Sequence, residues 1–572
     1  MTAPADELID IEERDIYASV RKKRNWSSPC NDKIIDYWLK TLSTTNKGLA
    51  KAVNKIINND ILLPDWLVEG KCVMIPKKEK PQAKDQRPIT LLNAMYNTIA
   101  SVIDGQLKEH QVIHQYMQIG QRGCATNSMG CIDNLIIDKT TLEEAKDRKK
   151  NLSCTWMDVK KAFDSINHKW LALTLQLHNI PTKITNFITS TMTKWSITLE
   201  VKINKKKGRI GLIQLEQGIL QGDSFCVRFF TLYLNPIAGW LGSKEGYTYS
   251  HNKQEKLTHL HYVDDLKTYQ KSAQKALLIT KTAKSMFEDI GLYWGLDKCA
   301  TINIVRSKLQ INEENVSITD TEELRILDID DHYKFLGKYE NSVQLEQQVC
   351  NEATSEYRKR LSVIWSSNIS IPRKVLATKT FALPTLQYHM WTTDWTVIQL
   401  KDIDRRTREI LRKEGGMHHH ESIKLLYLPE EQTGSGMKSV EDTYKLTTIK
   451  MANYINNSDE LRIKYARTLE MNRITQGRKS IFKKATKYAA EYNIICIYNI
   501  CNVNKTIRQQ LLPTKTYQQS KAQMTITDTN CRMCHTATES TTHELSACSK
   551  IAQTLHSQAR QDAKADIPLL TG

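Results

Sequence analysis

Two adjacent aspartates, Asp264 and Asp265, stand in the run His261-Tyr262-Val263-Asp264-Asp265-Leu266. Strand-forming residues lead in from Leu260 to Val263 and out from Leu266 to Tyr269, so the pair falls at the tip of a tight β-hairpin. Two carboxylates in one turn repel each other, and a fold keeps them most readily when a cation neutralises the pair. A third carboxylate, Asp158, ends the apolar run Cys154-Thr155-Trp156-Met157. After it Phe163, Ile166, Trp170, Leu173 and Leu177 recur at three- and four-residue steps, which predicts a helix face. Asp158 is therefore expected at a strand end ahead of a helix. Three carboxylates on two strand ends can hold two Mg²⁺ ions about 3.5–4 Å apart, an arrangement that activates a hydroxyl and stabilises a leaving pyrophosphate. Either motif alone reads equally well as solvated surface aspartates; the two together, in this order, do not.

With these residues in place the chain resembles the palm of reverse transcriptases. Asp158 matches the first catalytic motif, Tyr262-Val263-Asp264-Asp265 the second, and Gln217-Gly218-Ile219-Leu220-Gln221-Gly222-Asp223-Ser224 the loop between them. The resemblance implies that Asp158, Asp264 and Asp265 bind Mg²⁺. It also places Gln221 and Gly222 at the nucleotide or template, with Gly222 allowing an approach that a Cβ would block. Asp85-Gln86-Arg87-Pro88-Ile89 resembles a fingers motif whose cation contacts the incoming triphosphate; Arg87 is the candidate and Lys84 a second one. Gln121-Arg122-Gly123 resembles the next fingers motif, with Cys124 where an aromatic residue is usual. Gly291-Leu292 and Asp297-Lys298-Cys299 match a further motif, making Lys298 a candidate general acid toward pyrophosphate, and Phe335-Leu336-Gly337 resembles the primer grip. Phe163 takes the place of the steric gate that excludes a 2′-hydroxyl; it reads equally as a core residue of the helix face.

Leu425 to Pro429, Gly434 to Met437 and Ser439 to Glu441 look like the thumb-proximal segment of non-LTR retrotransposon polymerases. Cys531, Cys534, His543 and Cys548 follow at C-x2-C-x8-H-x4-C spacing, which fits one tetrahedral Zn²⁺ in a unit too short to have another core. A polymerase followed by such a knuckle is similar to the site-specific non-LTR elements that carry a restriction-like endonuclease. Only 24 residues follow Cys548, fewer than the ~50 of a small domain, so the expectation is a chain that extends a primer and lacks the endonuclease. The resemblance spans about residues 20–555.

Among 572 residues, 81 basic against 63 acidic give a net charge of +18, which favours a polyanionic partner. Basic runs lie at Arg21 to Arg24, Lys205 to Lys207, Arg358 to Arg360, Arg405 to Arg412 and Arg478 to Lys484. Arg405, Arg408 and Arg412 fall on one helical stripe suited to a groove-tracking thumb helix. The 13 cysteines without an apolar leader point to a reducing, intracellular setting, nuclear and cytoplasmic. No stretch approaches the ~20 apolar residues of a membrane span.

The expected fold is α+β, a right-hand polymerase of fingers, palm and thumb. Its expected parts are a helical N-terminal extension (1–65), fingers (66–150), palm (151–340), helical thumb (341–457), helical linker (458–525), zinc knuckle (526–555) and tail (556–572). Helices are expected on one face of a small antiparallel sheet. The function implied is RNA-directed DNA synthesis: a DNA 3′-hydroxyl at a nicked target is extended with dNTPs on an RNA template. An RNA-templated RNA polymerase, which a bulky Phe163 disfavours, and a nucleic-acid-binding remnant are the alternatives. The sequence gives no oligomeric state.

Overall fold

A computed structural model describes residues 10–492 and 494, except 78–81, 83–85, 204–205, 251, 311–314 and 343–344. Lys84, the four expected zinc ligands Cys531, Cys534, His543 and Cys548, and the tail lie outside the described residues.

Strands β1 (Glu69–Pro76) and β2 (Gln86–Leu91) form an antiparallel hairpin in which Ile75 faces Arg87. Pro88 has no N–H for a ladder, and β2 is accordingly an edge strand. Strand β3 (Leu152–Met157) belongs to a second sheet, whereas β4 (Ser196–Ile203) and β5 (Lys206–Gln214) return to the first. β4 pairs with β1 in parallel, giving the order β2-β1-β4-β5. The sheet begun before residue 92 thus takes two strands from inside the span 151–340.

Strands β6 (Tyr247–Tyr249) and β7 (Asn252–Leu257) form a separate hairpin. β8 (His259–Tyr262), β9 (Asp265–Gln270) and β10 (Ala300–Val305) join β3 in the antiparallel order β10-β3-β9-β8, extended past β10 by short strands. All six residues of β3 are buried. Leu152, Cys154 and Trp156 face the helix Cys131–Asp147 and the C-terminal helices. Thr155, on the opposite face, meets Thr280 of the helix Ala273–Asp289 at 3.5 Å and Thr301 of β10 at 3.1 Å. Helices therefore cover both faces of this sheet, not one as expected, which is why every residue of β3 is buried although apolar and polar residues alternate along it. No helix among the described residues is long and apolar enough to cross a membrane.

Two local expectations shift. Phe163 lies on a 3₁₀ turn, Ala162–Ser165, and the helix proper is His168–Leu177. Asn167 caps it, its side chain accepting from the backbone N–H groups of Lys169 and Trp170. That restart changes the helical phase: Leu171, Thr174 and Leu175 are buried, while Leu173 and Leu177 are 45% and 43% exposed. On the helix Val397–Lys413, Arg405 pairs with Asp402 at 2.6 Å and with Glu409, and Arg408 donates to the Tyr427 hydroxyl at 3.2 Å. The expected arginine stripe is thus partly neutralised by the chain itself.

The sheet, the helix Cys131–Asp147 and the hairpin Tyr333–Phe335/Lys338–Glu340 meet at a buried ionic group. Lys267 Nζ of β9 lies 2.6 Å from Asp138 Oδ1 and 2.7 Å from Glu340 Oε1, and all three side chains are fully buried. Tyr269 donates to Asp138 Oδ1 at 2.6 Å, Trp156 Nε1 donates to Glu340 Oε1 at 2.8 Å, and the ammonium stands 4.7 Å from the Trp156 ring centroid. Burial and the neighbouring Asp138 push the Glu340 carboxyl well up. Burial also opposes ionisation of Asp138, but Lys267 overrides it and holds that carboxyl low. The consistent charge state is ammonium, carboxylate and neutral acid, with Glu340 donating to Asp138. Lys267→Met would strand the Asp138 charge and should cost about 3–5 kcal/mol of stability. Glu340→Gln keeps a neutral donor and should cost far less. Thermal unfolding of both variants checks this, and equal losses would mean that Glu340 is ionised.

Candidate active site

β3 and β9 are neighbours in register, with Met157 opposite Leu266. Asp158, one step beyond Met157, is thereby brought beside Asp265, the first residue of β9. Tyr262 pairs with Asp265 across the hairpin, leaving Val263 and Asp264 as its two-residue tip. The three carboxylates expected to act together are assembled by this pairing.

The tip is strained. Val263 has φ +57°, a left-handed conformation that a β-branched residue adopts only when its surroundings impose it. Gln121, 3% exposed, imposes it. Its Oε1 accepts from Val263 N at 3.0 Å and from Gly123 N at 2.8 Å, and its Nε2 donates to Val263 O at 3.5 Å. The adjoining backbone runs beside β8 like a further strand: His261 N donates to Gly120 O and Arg122 N to His261 O, each at 2.9 Å. The segment Gln121-Arg122-Gly123 therefore buttresses the carboxylate turn.

Asp158 is held from the other side. Its N–H donates to Cys299 Sγ at 3.3 Å, and its carbonyl accepts from Gly295 N at 2.9 Å. Lys298 Nζ, on a side chain 65% exposed, lies 3.2 Å from Asp158 Oδ2. Burial pushes the Asp265 carboxyl up to about 7, with Asp264 and then Asp158 adding to the rise. Burial and Asp158 also raise Asp264, while Arg87 and Lys298 pull it back. Arg87, exposed on β2, thus acts electrostatically on the carboxylates from the other sheet.

No three His, Cys, Asp or Glu side chains among the described residues form a ready-made metal cage. The chemistry of the donors nevertheless fits Mg²⁺. Hard carboxylate oxygens are half-buried together, and their mutual repulsion is the penalty that a divalent cation removes.

The loop 217–224 fits against the same centre. Gln221 Nε2 donates to Asp164 Oδ1 at 3.4 Å, and Gln221 O accepts from Thr90 N of β2 at 2.8 Å. Gly222 has φ +128°, and a Cβ there would come within 2.3 Å of the Thr90 carbonyl oxygen. The close approach expected at Gly222 is therefore to the chain's own edge strand; glycine is needed so that the loop can dock on β2. Phe163 is half-buried, its ring 5.1 Å from that of Phe230 and its carbonyl accepting from Ile219 N at 2.8 Å. It is a core contact with one side left open, so both readings of this residue survive.

Sequence reasoning passed over Gln121 as an individual residue and the ionic group behind β9. It also missed His259 and His261 as buried groups; burial pushes His261 down to about 4, so the ring behind the carboxylates stays neutral. Replacing Gln121 with Leu removes the turn's acceptor and donor at nearly constant volume. Gln121→Leu should lower the rate of any reaction at the three carboxylates at least roughly tenfold, as expected when reacting groups lose alignment. Steady-state rates at unchanged folded fraction measure this, and a wild-type rate would show that β8 and β9 hold the turn alone.

The chain is similar in sequence to known proteins. The profile of the family described as Reverse transcriptase (RNA-dependent DNA polymerase) matches residues 75–338. The Pol polyprotein of the type-1 retrotransposable element R2 from Popillia japonica is 20% identical over 400 residues, covering 68% of this chain and 53% of the relative. That of Nasonia vitripennis is 22% identical over 385 residues, covering 66% of this chain and 36% of the relative. The chain thus spans about half the length of the first relative and about a third of the second. Among solved structures, apo telomerase from Candida tropicalis is similar at a TM-score of 0.35 and 12% identity, covering 78% of this chain and 77% of that one. Residues 75–338 thus match the reverse transcriptase family, and the chain is similar to the Pol polyproteins of R2 retrotransposable elements.

Proposed function

We propose that this chain extends a DNA 3′-hydroxyl on an RNA template, with the primer supplied by a nicked chromosomal target. The observation that carries the reading is the assembly of Asp158, Asp264 and Asp265 at the ends of two paired strands. The three carboxylates would hold Mg²⁺, which when bound lowers the pKa of the primer hydroxyl and offsets charge on the leaving pyrophosphate. The primer 3′-oxygen attacks the α-phosphorus of a dNTP, one P–O bond forms, and the bond to pyrophosphate breaks. Lys298, beside Asp158 and exposed, is placed to give a proton to the departing pyrophosphate. Arg87, on an edge strand facing Asp264, supplies positive charge on the triphosphate side. Phe163 packs its ring into the core and leaves one side open beneath the sugar.

RNA template, DNA primer and dNTPs are the partners of this reading. The same reading gives Cys531, Cys534, His543 and Cys548 one Zn²⁺ ion that holds a small nucleic-acid-binding knuckle, on the strength of their spacing. Primer extension on an RNA template, with dNTPs against NTPs, separates DNA synthesis from RNA synthesis and from a non-polymerising remnant. Asp264→Asn should keep the fold and abolish extension. Extension at wild-type rate in that variant would overturn the carboxylate assignment. Phe163→Ala should raise incorporation of ribonucleotides relative to deoxyribonucleotides; an active variant with unchanged selectivity would leave Phe163 a core residue only.

A further inference from the structure

The backbone that buttresses the carboxylate turn is itself held from the C-terminal helices. Gln121, which pairs with both polar groups of the Val263 backbone, is followed by Arg122, which is 8% exposed. Arg122 Nη2 lies 2.6 Å from Oε1 of Glu460, the residue that precedes the helix Leu461–Thr475. A second carboxylate, Asp133, is 3.9 Å from Arg122 Nη1 and is occupied by other donors. Asp133 Oδ2 accepts from Ser128 Oγ at 2.7 Å and from Met129 N at 2.9 Å, and its Oδ1 accepts from the Tyr454 hydroxyl at 2.6 Å. Tyr454 belongs to the helix Val440–Asn457. Two C-terminal helices thus hold the segment 121–130, one at Arg122 directly and one near Met129 through Asp133.

This segment lies directly against the turn. A Cβ on Gly123 would come within 2.9 Å of Val263 Cγ2, and one on Gly130 within 3.2 Å of Tyr262 Cε2. The two glycines let the segment approach the residues that lead into Asp264. The charge that anchors it is not alone. Burial, and then the charge of Arg122, hold the Arg462 guanidinium below its ordinary pKa, so two cations face each other here. Without Glu460, Arg122 would be a buried cation beside another, with Asp133 no nearer than 3.9 Å. Such a stranded charge is relieved when the arginine moves toward water. The backbone that would move with it is the one whose N–H donates to His261 O, next to Gln121.

We propose that Glu460 is a positioning residue for the reaction at Asp158, Asp264 and Asp265: by pairing with Arg122 it keeps Gln121 where Gln121 fixes the Val263 turn. It touches no reacting atom. Glu460 and Tyr454 lie beyond the residues 75–338 that match the reverse transcriptase family, so the C-terminal helices belong to what aligns the carboxylates. The inference rests on the polymerase reading for the reaction that is measured, and on the geometry alone for the contact. An ion pair that merely stabilised the packing of the helices would change the unfolding temperature and leave the turnover of the folded protein as it was.

The test uses the full chain in steady-state primer extension, with rates referred to the folded fraction. Glu460→Ala should lower kcat roughly tenfold while KM for the annealed template–primer stays the same, as expected when reacting groups lose alignment. The Mg²⁺ concentration for half-maximal rate should rise, because misaligned carboxylates hold the ions less well. Arg122→Met should lose a similar amount, and the double variant no more than either single one, because both act through one contact. If Glu460→Ala does not fold, Glu460→Gln, which keeps an oxygen for Arg122 but no charge, should show the same pattern in smaller measure. Lys445→Ala breaks ion pairs to Glu441 at 2.7 Å and Glu491 at 2.6 Å within the same helices and should leave kcat unchanged. Hydrogen exchange at Val263 and Asp264, read without turnover, should be faster in Glu460→Ala than in the wild type. Wild-type kcat and Mg²⁺ dependence in the Glu460 variants, multiplying losses in the double variant, an equal loss in Lys445→Ala or unchanged exchange at Val263 would each overturn the inference. Failure of the wild-type chain to extend any primer would overturn the polymerase reading alone, since the exchange comparison needs no turnover.

Discussion

The buried ammonium of Lys267 is the interaction on which the rest of the structure turns. It lies on the strand that begins with Asp265, and it binds a carboxylate from the helix Cys131–Asp147 and a carboxyl from the hairpin ending at Glu340. A buried charge tolerates little displacement, because its desolvation is repaid only at hydrogen-bonding distance. The strand, the helix and the hairpin are therefore tied to one another at this point. The same helix lines a cavity beside the C-terminal helices, so one ionic group ties that wall to the strand that begins with Asp265. The neutral acid at Glu340 is the condition for this. With both carboxyls ionised the group would carry a net negative charge in an apolar surrounding.

The turn that carries Asp264 and Asp265 shows the converse arrangement, in which strain is stored and held. Val263 sits in a conformation that its side chain disfavours, and Gln121 holds it by one amide. Asp264 follows directly, so its direction depends on that backbone. Asp158 is fixed from the other side by Cys299 and Gly295. Asp265 ionises reluctantly, chiefly because it is buried and further because Asp264 and Asp158 repel its charge. A bound cation would offset the repulsion already present among these carboxylates.

The two sheets are not independent. Gly222 lies against Thr90, and Gln221 O accepts the Thr90 N–H, so the loop 217–224 is docked on the edge strand that also carries Arg87. Strands β4 and β5 return from beyond β3 to complete that same sheet. The edge strand is linked by hydrogen bonds to Gln221, and Gln221 to Asp164, which shares a 3₁₀ turn with Phe163. The residues expected at the nucleotide are joined by direct contacts although they lie far apart in the chain.

The sequence by itself determined the chemistry. Asp158, Asp264 and Asp265 could be named because an apolar run, a turn and a repelled acidic pair are local patterns, and local patterns survive in one dimension. The same holds for the α+β class and for the overall positive charge. What tertiary structure decided were the partners. Lys267 and Asp138 are separated by 129 residues, and nothing in the run Leu266-Lys267-Thr268 marks that lysine as buried. Gly222 looked like a ligand contact because glycine reports a close approach but not to what. Leu173 and Leu177 fitted a helical period, yet Asn167 restarted the helix and turned them outward. β3 alternates in sequence, yet Ser153 and Thr155 are as buried as Leu152 and Cys154, because the second covering helix comes from residues 273–289, far along the chain. The cavity behind the helix Cys131–Asp147 was invisible for the same reason. Its wall comes from five separate segments, and a volume exists only once they are packed.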